Sequence, residues 1–219
     1  MMNFSKFKFL IFLIIAQCIF SATISAQSDD FIKGSEKLLV KYNLDEQTQC
    51  FAFNKYLVKT YLKDNTKNGG GAGNGYEFDI FKREVKYPLK KSCEIAADVL
   101  LSIKNEEGNE FGGIFGDMFF VERNVFPDGA DLDVYDLKTK TKVFTTAFSE
   151  WDNYGTNISN VRFLNYRQWS KKDGLLRNCP QAKKWKRDGF GISWLQTKRL
   201  DLQTLKETSV GNPRCINVQ

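Results

Sequence analysis

One residue type is missing from this chain, and its absence bounds the chemistry: there is no histidine among 219 residues. That removes Ser-His-Asp and Cys-His nucleophilic catalysis, histidine acid–base work and nearly every ordinary zinc site. Carboxylate chemistry remains open, as when two Asp or Glu side chains cleave a glycosidic bond. Glu77, Asp79, Asp117, Glu122 and Glu150 are the acids to consider, although no spacing singles out a catalytic pair among them. Asp128, Asp131, Asp133 and Asp136 form the densest acidic cluster. Asp131 and Asp133 would share one face of a strand, and carboxylate oxygens suit calcium. The order of acids fits no EF-hand loop, and aspartates entering a hairpin turn are the plainer account.

Three further patterns have a binding reading and a plainer one. Gly69 to Gly75 is glycine-rich but lacks the Lys-Ser/Thr ending and strand-to-helix frame of a phosphate loop, so a surface loop is expected. Lys183-Lys184-Trp185-Lys186-Arg187 could meet an acidic partner or a phosphate-bearing surface. On a short helix, however, Lys183 and Arg187 sit one turn apart and Trp185 turns toward the core, leaving a solvated basic face. Trp151, Trp169, Trp185 and Trp194 could line a sugar platform; aromatic side chains filling a β core are the default. No cofactor motif and no metal-ligand motif stands out.

The elements that must position these residues read mostly as strands. Tyr76, Phe78 and Ile80 alternate with polar residues, Cys50 to Phe53 is strand-like, and Phe119 and Val121 follow Gly116. Leu132 to Phe148 reads as a hairpin, with Leu132, Val134 and Leu137 approaching a turn at Lys138-Thr139-Lys140-Thr141 and Val143, Phe144 and Phe148 returning. Asp201-Leu202-Gln203-Thr204 echoes Asp136-Leu137-Lys138-Thr139, a hint of two equivalent hairpins. A short helix is signalled where Asn178 can cap, Pro180 precedes the helix formers Gln181 to Asp188, and Gly189 supplies a stop. An amphipathic helix is also expected over Asp30 to Tyr42, on Phe31, Leu38, Leu39 and Tyr42. The stretch Lys67 to Gly75 is expected to divide a short N-terminal part from the rest. The fold class is therefore mostly β: a single domain of antiparallel hairpins over 27–219, a meander or propeller-like sheet, with one or two short helices.

Residues 1–26 read as a cleavable export signal. Lys6 and Lys8 precede the apolar run Phe9 to Ala16, and small residues lead to Ala26. The apolar segment is shorter than the roughly 20 residues that span a bilayer. Losing Lys6 and Lys8 lowers the formal charge from +6 to +4, too mild an excess to imply nucleic acid. Cys18 leaves with the signal, and Cys50, Cys93, Cys179 and Cys215 remain. An even count in an exported chain favours disulfides, with three possible pairings. The sequence-local pairing, Cys50–Cys93 with Cys179–Cys215, is the expected one because neighbouring segments often pack together. Each bridge would add about 2–4 kcal/mol.

The segment from Gly116 to Gln219 resembles a group of uncharacterised exported bacterial proteins. The resemblance lies in the order of Gly116-Asp117, Tyr135-Asp136-Leu137, Lys142-Val143-Phe144, Asn178-Cys179-Pro180, Gly189-Phe190-Gly191, Leu200-Asp201-Leu202, Thr204-Leu205 and Arg214-Cys215. It departs from the group at Glu122 to Asp128, where such proteins usually carry an Asp-Ser-Gly-Thr-Gly-Pro-like loop. The resemblance implies export and a Cys179–Cys215 bridge, and carries no activity. Together these readings lead to an exported, disulfide-stabilised binding or interaction protein with an envelope or extracellular partner. A carboxylate-based hydrolase of envelope polysaccharide and a purely structural envelope protein are the alternatives.

Overall fold

A computed structural model describes residues 32–63, 75–95, 98–104, 108–125, 129–149, 157–160, 162–170 and 179–218. Among the described residues, thirteen strands form three antiparallel meanders laid down in chain order. The first sheet holds β1 (Val40–Asn43), β2 (Thr48–Ala52), β3 (Tyr56–Lys63), β4 (Gly75–Lys82) and β5 (Val99–Ile103). The second holds β6 (Asn109–Phe115), β7 (Met118–Val125), β8 (Gly129–Asp136) and β9 (Thr141–Phe148). The third holds β10 (Asn157–Ser159), β11 (Phe163–Trp169), β12 (Gly191–Asp201) and β13 (Lys206–Val218). Two short helices accompany them among the described residues, α1 (Leu89–Glu94) and α2 (Ala182–Arg187). The mostly β class is as the sequence reads.

Strand β7 of the second sheet is buried on both faces along Phe119-Phe120-Val121. Phe119 and Val121 of β7 pack with Phe78, Ile80 and Val58 of the first sheet, while Phe120 between them packs with Leu164, Tyr166 and Leu200 of the third. That is why Met118-Phe119-Phe120-Val121 is a continuous apolar run, whereas β8 beside it alternates. Phe111 and Phe119 stack at 5.1 Å, with Phe78 edge-on to Phe119 at 5.6 Å and Phe51 edge-on to Phe111 at 5.4 Å. Phe51, Phe53, Phe78, Phe111 and Phe119 meet in this seam, and such aromatic pairs add to their area burial when offset or edge-on.

The two-turn echo proves to be part of a threefold register. Tyr56 pairs with Lys82, Met118 with Asp136, and Phe163 with Asp201. One residue further out, Arg83 N donates to Lys55 O at 2.8 Å, Leu137 N to Asp117 O at 2.8 Å, and Leu202 N to Arg162 O at 3.0 Å. In the second and third sheets the chain then makes the same turn. Asp136 Oδ1 accepts from Lys138 N and Asp201 Oδ1 from Gln203 N, closing an Asx turn in each. Lys140 N donates to Asp136 O and Leu205 N to Asp201 O, both at 2.7 Å, with φ near +60° at each donor. In the first sheet the equivalent point opens into residues 83–98 and carries α1 instead.

Both disulfides have the sequence-local pairing, with Cα atoms 6.0 Å apart for Cys50–Cys93 and 5.7 Å for Cys179–Cys215. Each ties a short helix to one of the two flanking sheets. Cys93 of α1 is fixed to β2, over the first sheet's outer face with Leu57 and Phe81. Cys179, just before α2, is fixed to β13 beside Trp194 and Trp185. Helix α2 stops as expected at Gly189 (φ +86°), where Gly189 N reaches Lys186 O and Phe190 N reaches Trp185 O, the Schellman pattern. Its N-cap position is Gln181, while Asn178 lies outside the described residues. Helix α1 was not signalled in the sequence.

Two expectations are corrected. Residues 32–42 form no helix; after a turn closed by Ser35 N on Ile32 O they run without helical bonds into β1. Their amides find better partners on sheet edges, with Ile32 N on Gly112 O, Glu36 N on Ile114 O and Leu39 N on Ala52 O, while Ile158 N donates to Lys33 O. Gly34, at φ +93°, sits so close to Ile158 that a Cβ there would lie 2.5 Å from its carbonyl oxygen. The segment straps the second sheet to the third. The glycine-rich stretch also divides nothing, because β3 and β4 on either side of it pair from Lys63–Gly75 to Tyr56–Lys82. Its residues 67–74 lie outside the described residues.

Leu137 and Leu202 occupy equivalent positions in different seams, 1% and 4% exposed. Leu137→Ala and Leu202→Ala should each lower unfolding free energy by about 2–5 kcal/mol, read from urea denaturation with the disulfides intact. A loss confined to one of them would contradict the equivalence.

Candidate functional site

The shared register brings the turns of the first and second sheets to one end of the molecule. Between them lies a cleft of about 670 Å³, within the roughly 300–1,000 Å³ usual for ligand sites. The β2–β3 turn contributes Asn54 and Lys55, the end of β4 contributes Lys82 and Arg83, and the β8–β9 turn contributes Lys138 and Lys140. Val85, Leu100 and Leu137 supply apolar wall. Five cations therefore face one carboxylate, Asp117, which sits in the tight turn after Gly116 (φ +62°).

Asp117 organises the floor. Tyr56 Oη donates to it at 2.7 Å, Lys138 Nζ lies 2.7 Å away and Lys55 Nζ 3.5 Å away. The Lys138 bond, then the Tyr56 bond, holds its carboxyl down to about 2. Burial first, then Asp117, pushes the Tyr56 phenol well above its ordinary value. Lys138 is raised in turn by Asp117, so it stays charged. Arg83 is anchored beneath the β2–β3 hairpin by Nη1, donating to Phe53 O at 3.1 Å and Asn54 O at 3.0 Å. Its buried Nε has no hydrogen-bond partner among the described residues. Such a floor holds an ionised carboxylate and fixed cations; its chemistry is electrostatic attraction of anionic groups.

A second cleft of about 290 Å³ lies on the outer face of the first sheet beside α1, and Lys82 at the end of β4 lines both. Its other walls include Glu84, Lys86, Tyr87, Ser92 and Asp98. Lys86 Nζ is 2.7 Å from Glu84, and Lys86 and Lys91 lie over the Tyr87 ring at 4.9 and 5.3 Å.

Of the singled-out acids that lie among the described residues, only Asp117 lines the first cleft. Glu77 is on β4, near Lys63 and Lys104, and Asp79 accepts from Ser102, both on the outer side of the first sheet. Glu122 lies on β7 opposite Glu110 and Leu132, and Glu150 is outside the described residues. Asp131 and Asp133 do share a face, but there they hold cations. Arg123 reaches Asp131 at 2.9 Å and Asp133 at 3.2 Å, Lys142 reaches Asp133 at 2.9 Å, and Thr145 donates to Asp133. Asp136 serves the turn, and Asp128 is outside the described residues. Among the described residues no group of three or more acids and cysteines is gathered to hold a metal. The α2 lysines are exposed while Trp185 packs against the Cys179–Cys215 bridge. Trp194 is buried, Trp169 is partly buried on β11, and Trp151 lies outside the described residues.

Sequence reasoning missed Lys55, Lys82 and Arg83 altogether, and met Lys138 and Lys140 only as turn residues. No cation among them neighbours another element's cation in sequence, so the only available signal was their recurrence at strand ends. No protein-family model, curated protein or solved structure matches the chain, and the geometry alone carries the functional reading.

Because the Asp117 carboxyl is lower in the folded chain than its ordinary 3.8, its contribution to stability is complete above that value. It is lost as pH falls through about 2. Thermal unfolding of Asp117→Asn should therefore depend less on pH than the parent between pH 4 and 2, with the two curves converging at the acid end.

Proposed function

We propose that this chain is an exported binding protein whose cleft between the first two sheets takes a ligand carrying an anionic group. The observation that carries the reading is the convergence of Lys55, Lys82, Arg83, Lys138 and Lys140 on one cleft that, among the described residues, holds a single acid. That acid is already ion-paired and stays ionised, which suits holding a ligand more than giving it a proton. Export is supported by the leader pattern of residues 1–26 and by two disulfides, which persist in oxidising compartments. No helix of the described residues is long and apolar enough to cross a membrane. Kinship with the exported bacterial group belongs to the same reading and rests on the motif order from Gly116 to Arg214-Cys215.

Two measurements test it. D-glucuronate, a small carboxylate sugar, should bind the mature domain in calorimetric titration, and Lys82→Glu or Lys138→Glu should weaken it at least tenfold while Lys183→Glu on α2 leaves it unchanged. Equal affinity in all four proteins would remove the cleft from the function. Residues 1–40 fused to a phosphatase that is active only outside the bacterial cytoplasm should give active reporter; an inactive, full-length fusion would overturn export.

A further inference from the structure

We propose that the first cleft takes a sugar carrying a phosphomonoester, with the phosphoryl group on Lys82 and Lys140 and a sugar hydroxyl on Asp117. The inference deepens the anion-binding reading and rests on it. It follows from how each polar group of the cleft is already engaged.

Arg83 Nη1 donates to Phe53 O and Asn54 O, and its Nε is buried. Both two-nitrogen edges that could grip a planar carboxylate, Nη1 with Nη2 and Nε with Nη2, therefore lack a member. Arg83 supplies charge without its fork. The other four cations are lysines, point charges with rotatable donors, and they come from three segments of chain. Such a set can meet the several oxygens of a tetrahedral phosphoryl group from different sides. Asp117 already holds Lys138 at 2.7 Å and Lys55 at 3.5 Å, which leaves Lys82 and Lys140 for the ligand. Lys82 pairs with Tyr56 across β3 and β4, so it rises from the same sheet face as the tyrosine whose hydroxyl binds Asp117.

The charge of the cleft agrees. Among the described residues five cations face one carboxylate, and a singly charged ligand leaves most of that surplus uncompensated. A phosphomonoester approaches two negative charges at neutral pH, since its second ionisation falls near 6. The rest of the ligand is set by Asp117 and the apolar wall. Asp117 is ionised, repels an anion and accepts from a hydroxyl; an ionised carboxylate offers about four acceptor positions, more than Tyr56, Lys138 and Lys55 fill. Val85, 74% exposed, and Leu100 offer aliphatic surface to the C–H face of a sugar ring. A nucleobase would need a free aromatic face on which to stack. Among the described residues the only aromatic lining the cleft is Tyr56, 5% exposed and tied to Asp117.

The test titrates the mature domain with glucose 6-phosphate, inorganic phosphate and D-glucuronate. At pH 8 glucose 6-phosphate should bind about tenfold or more tightly than D-glucuronate, and Lys140→Ala should remove most of that difference. Between pH 8 and pH 5 the phosphomonoester loses its second charge while the glucuronate carboxylate keeps its one. The chain has no histidine, the side chain whose ordinary titration falls in that interval. Affinity for glucose 6-phosphate should therefore fall several-fold over the interval, with that for D-glucuronate unchanged. Asp117→Asn should cut the advantage of glucose 6-phosphate over inorganic phosphate at least fivefold. Parallel pH profiles, or equal affinity for glucose 6-phosphate and D-glucuronate with Lys82→Glu weakening both, would overturn the phosphomonoester and leave the anion cleft standing. Inorganic phosphate binding as tightly as glucose 6-phosphate would overturn the sugar, as would an unchanged advantage in Asp117→Asn. Phosphatidylcholine vesicles containing phosphatidic acid present the same group on a lipid, and their capture of the domain without competition by glucose 6-phosphate would overturn the sugar too. No binding of any of the three small anions would overturn this proposal and the anion-binding reading together.

Discussion

The structure depends on one strand, β7, whose Phe119-Phe120-Val121 segment is buried on both faces. Phe119 and Phe120 are neighbours on β7 and point to opposite seams, so the second sheet holds the first and third apart and together. Burying a strand on both sides demands a continuous apolar run, and it fixes register tightly, because a one-residue slip would exchange the two seams' side chains. The common register at the turn end follows from this constraint. Once Met118–Asp136 is set in the second sheet, its packing against Tyr56–Lys82 and Phe163–Asp201 brings the three sets of turns to one end.

The cleft is a consequence of that alignment. Leu137 closes the seam beneath it, and the turns above the seam are short, polar and unable to pack, so a gap remains where the first two sheets meet. Lys55 and Asp117 occupy equivalent positions in successive sheets, as do Arg83 and Leu137. The repeat thus supplies the scaffold, and departures from it supply the chemistry: an acid where the first sheet has a lysine, and an arginine where the second has a core leucine. The widest departure, residues 83–98 in place of a four-residue turn, brings α1, its disulfide and the second cleft.

Much of this was readable before any coordinates. The Leu132–Phe148 hairpin, the stop at Gly189, the local disulfide pairing and the inward turn of Trp185 each rest on short-range rules, namely alternation, capping glycine, chain proximity and helical periodicity. The sequence misled where local pattern met a non-local alternative. Residues 32–42 carry helix-like spacing, yet sheet edges offered their amides hydrogen bonds that a short helix containing Gly34 would match only at a cost. The run at 67–75 looked like a boundary because glycine weakens local structure, while the strands it joins are held by their neighbours.

The sequence by itself determined the class of fold, an even set of four oxidisable cysteines and the exclusion of histidine chemistry, because each depends on residue type or on local pattern. Only the tertiary structure decided which charges meet. Lys55, Lys82 and Lys138 are separated by 27 and 56 positions in the chain and come together through the stacking of two sheets. Charge has no periodicity that reports a partner so distant; it acts through space, and the space is made by Phe78, Phe111 and Phe119 packing below.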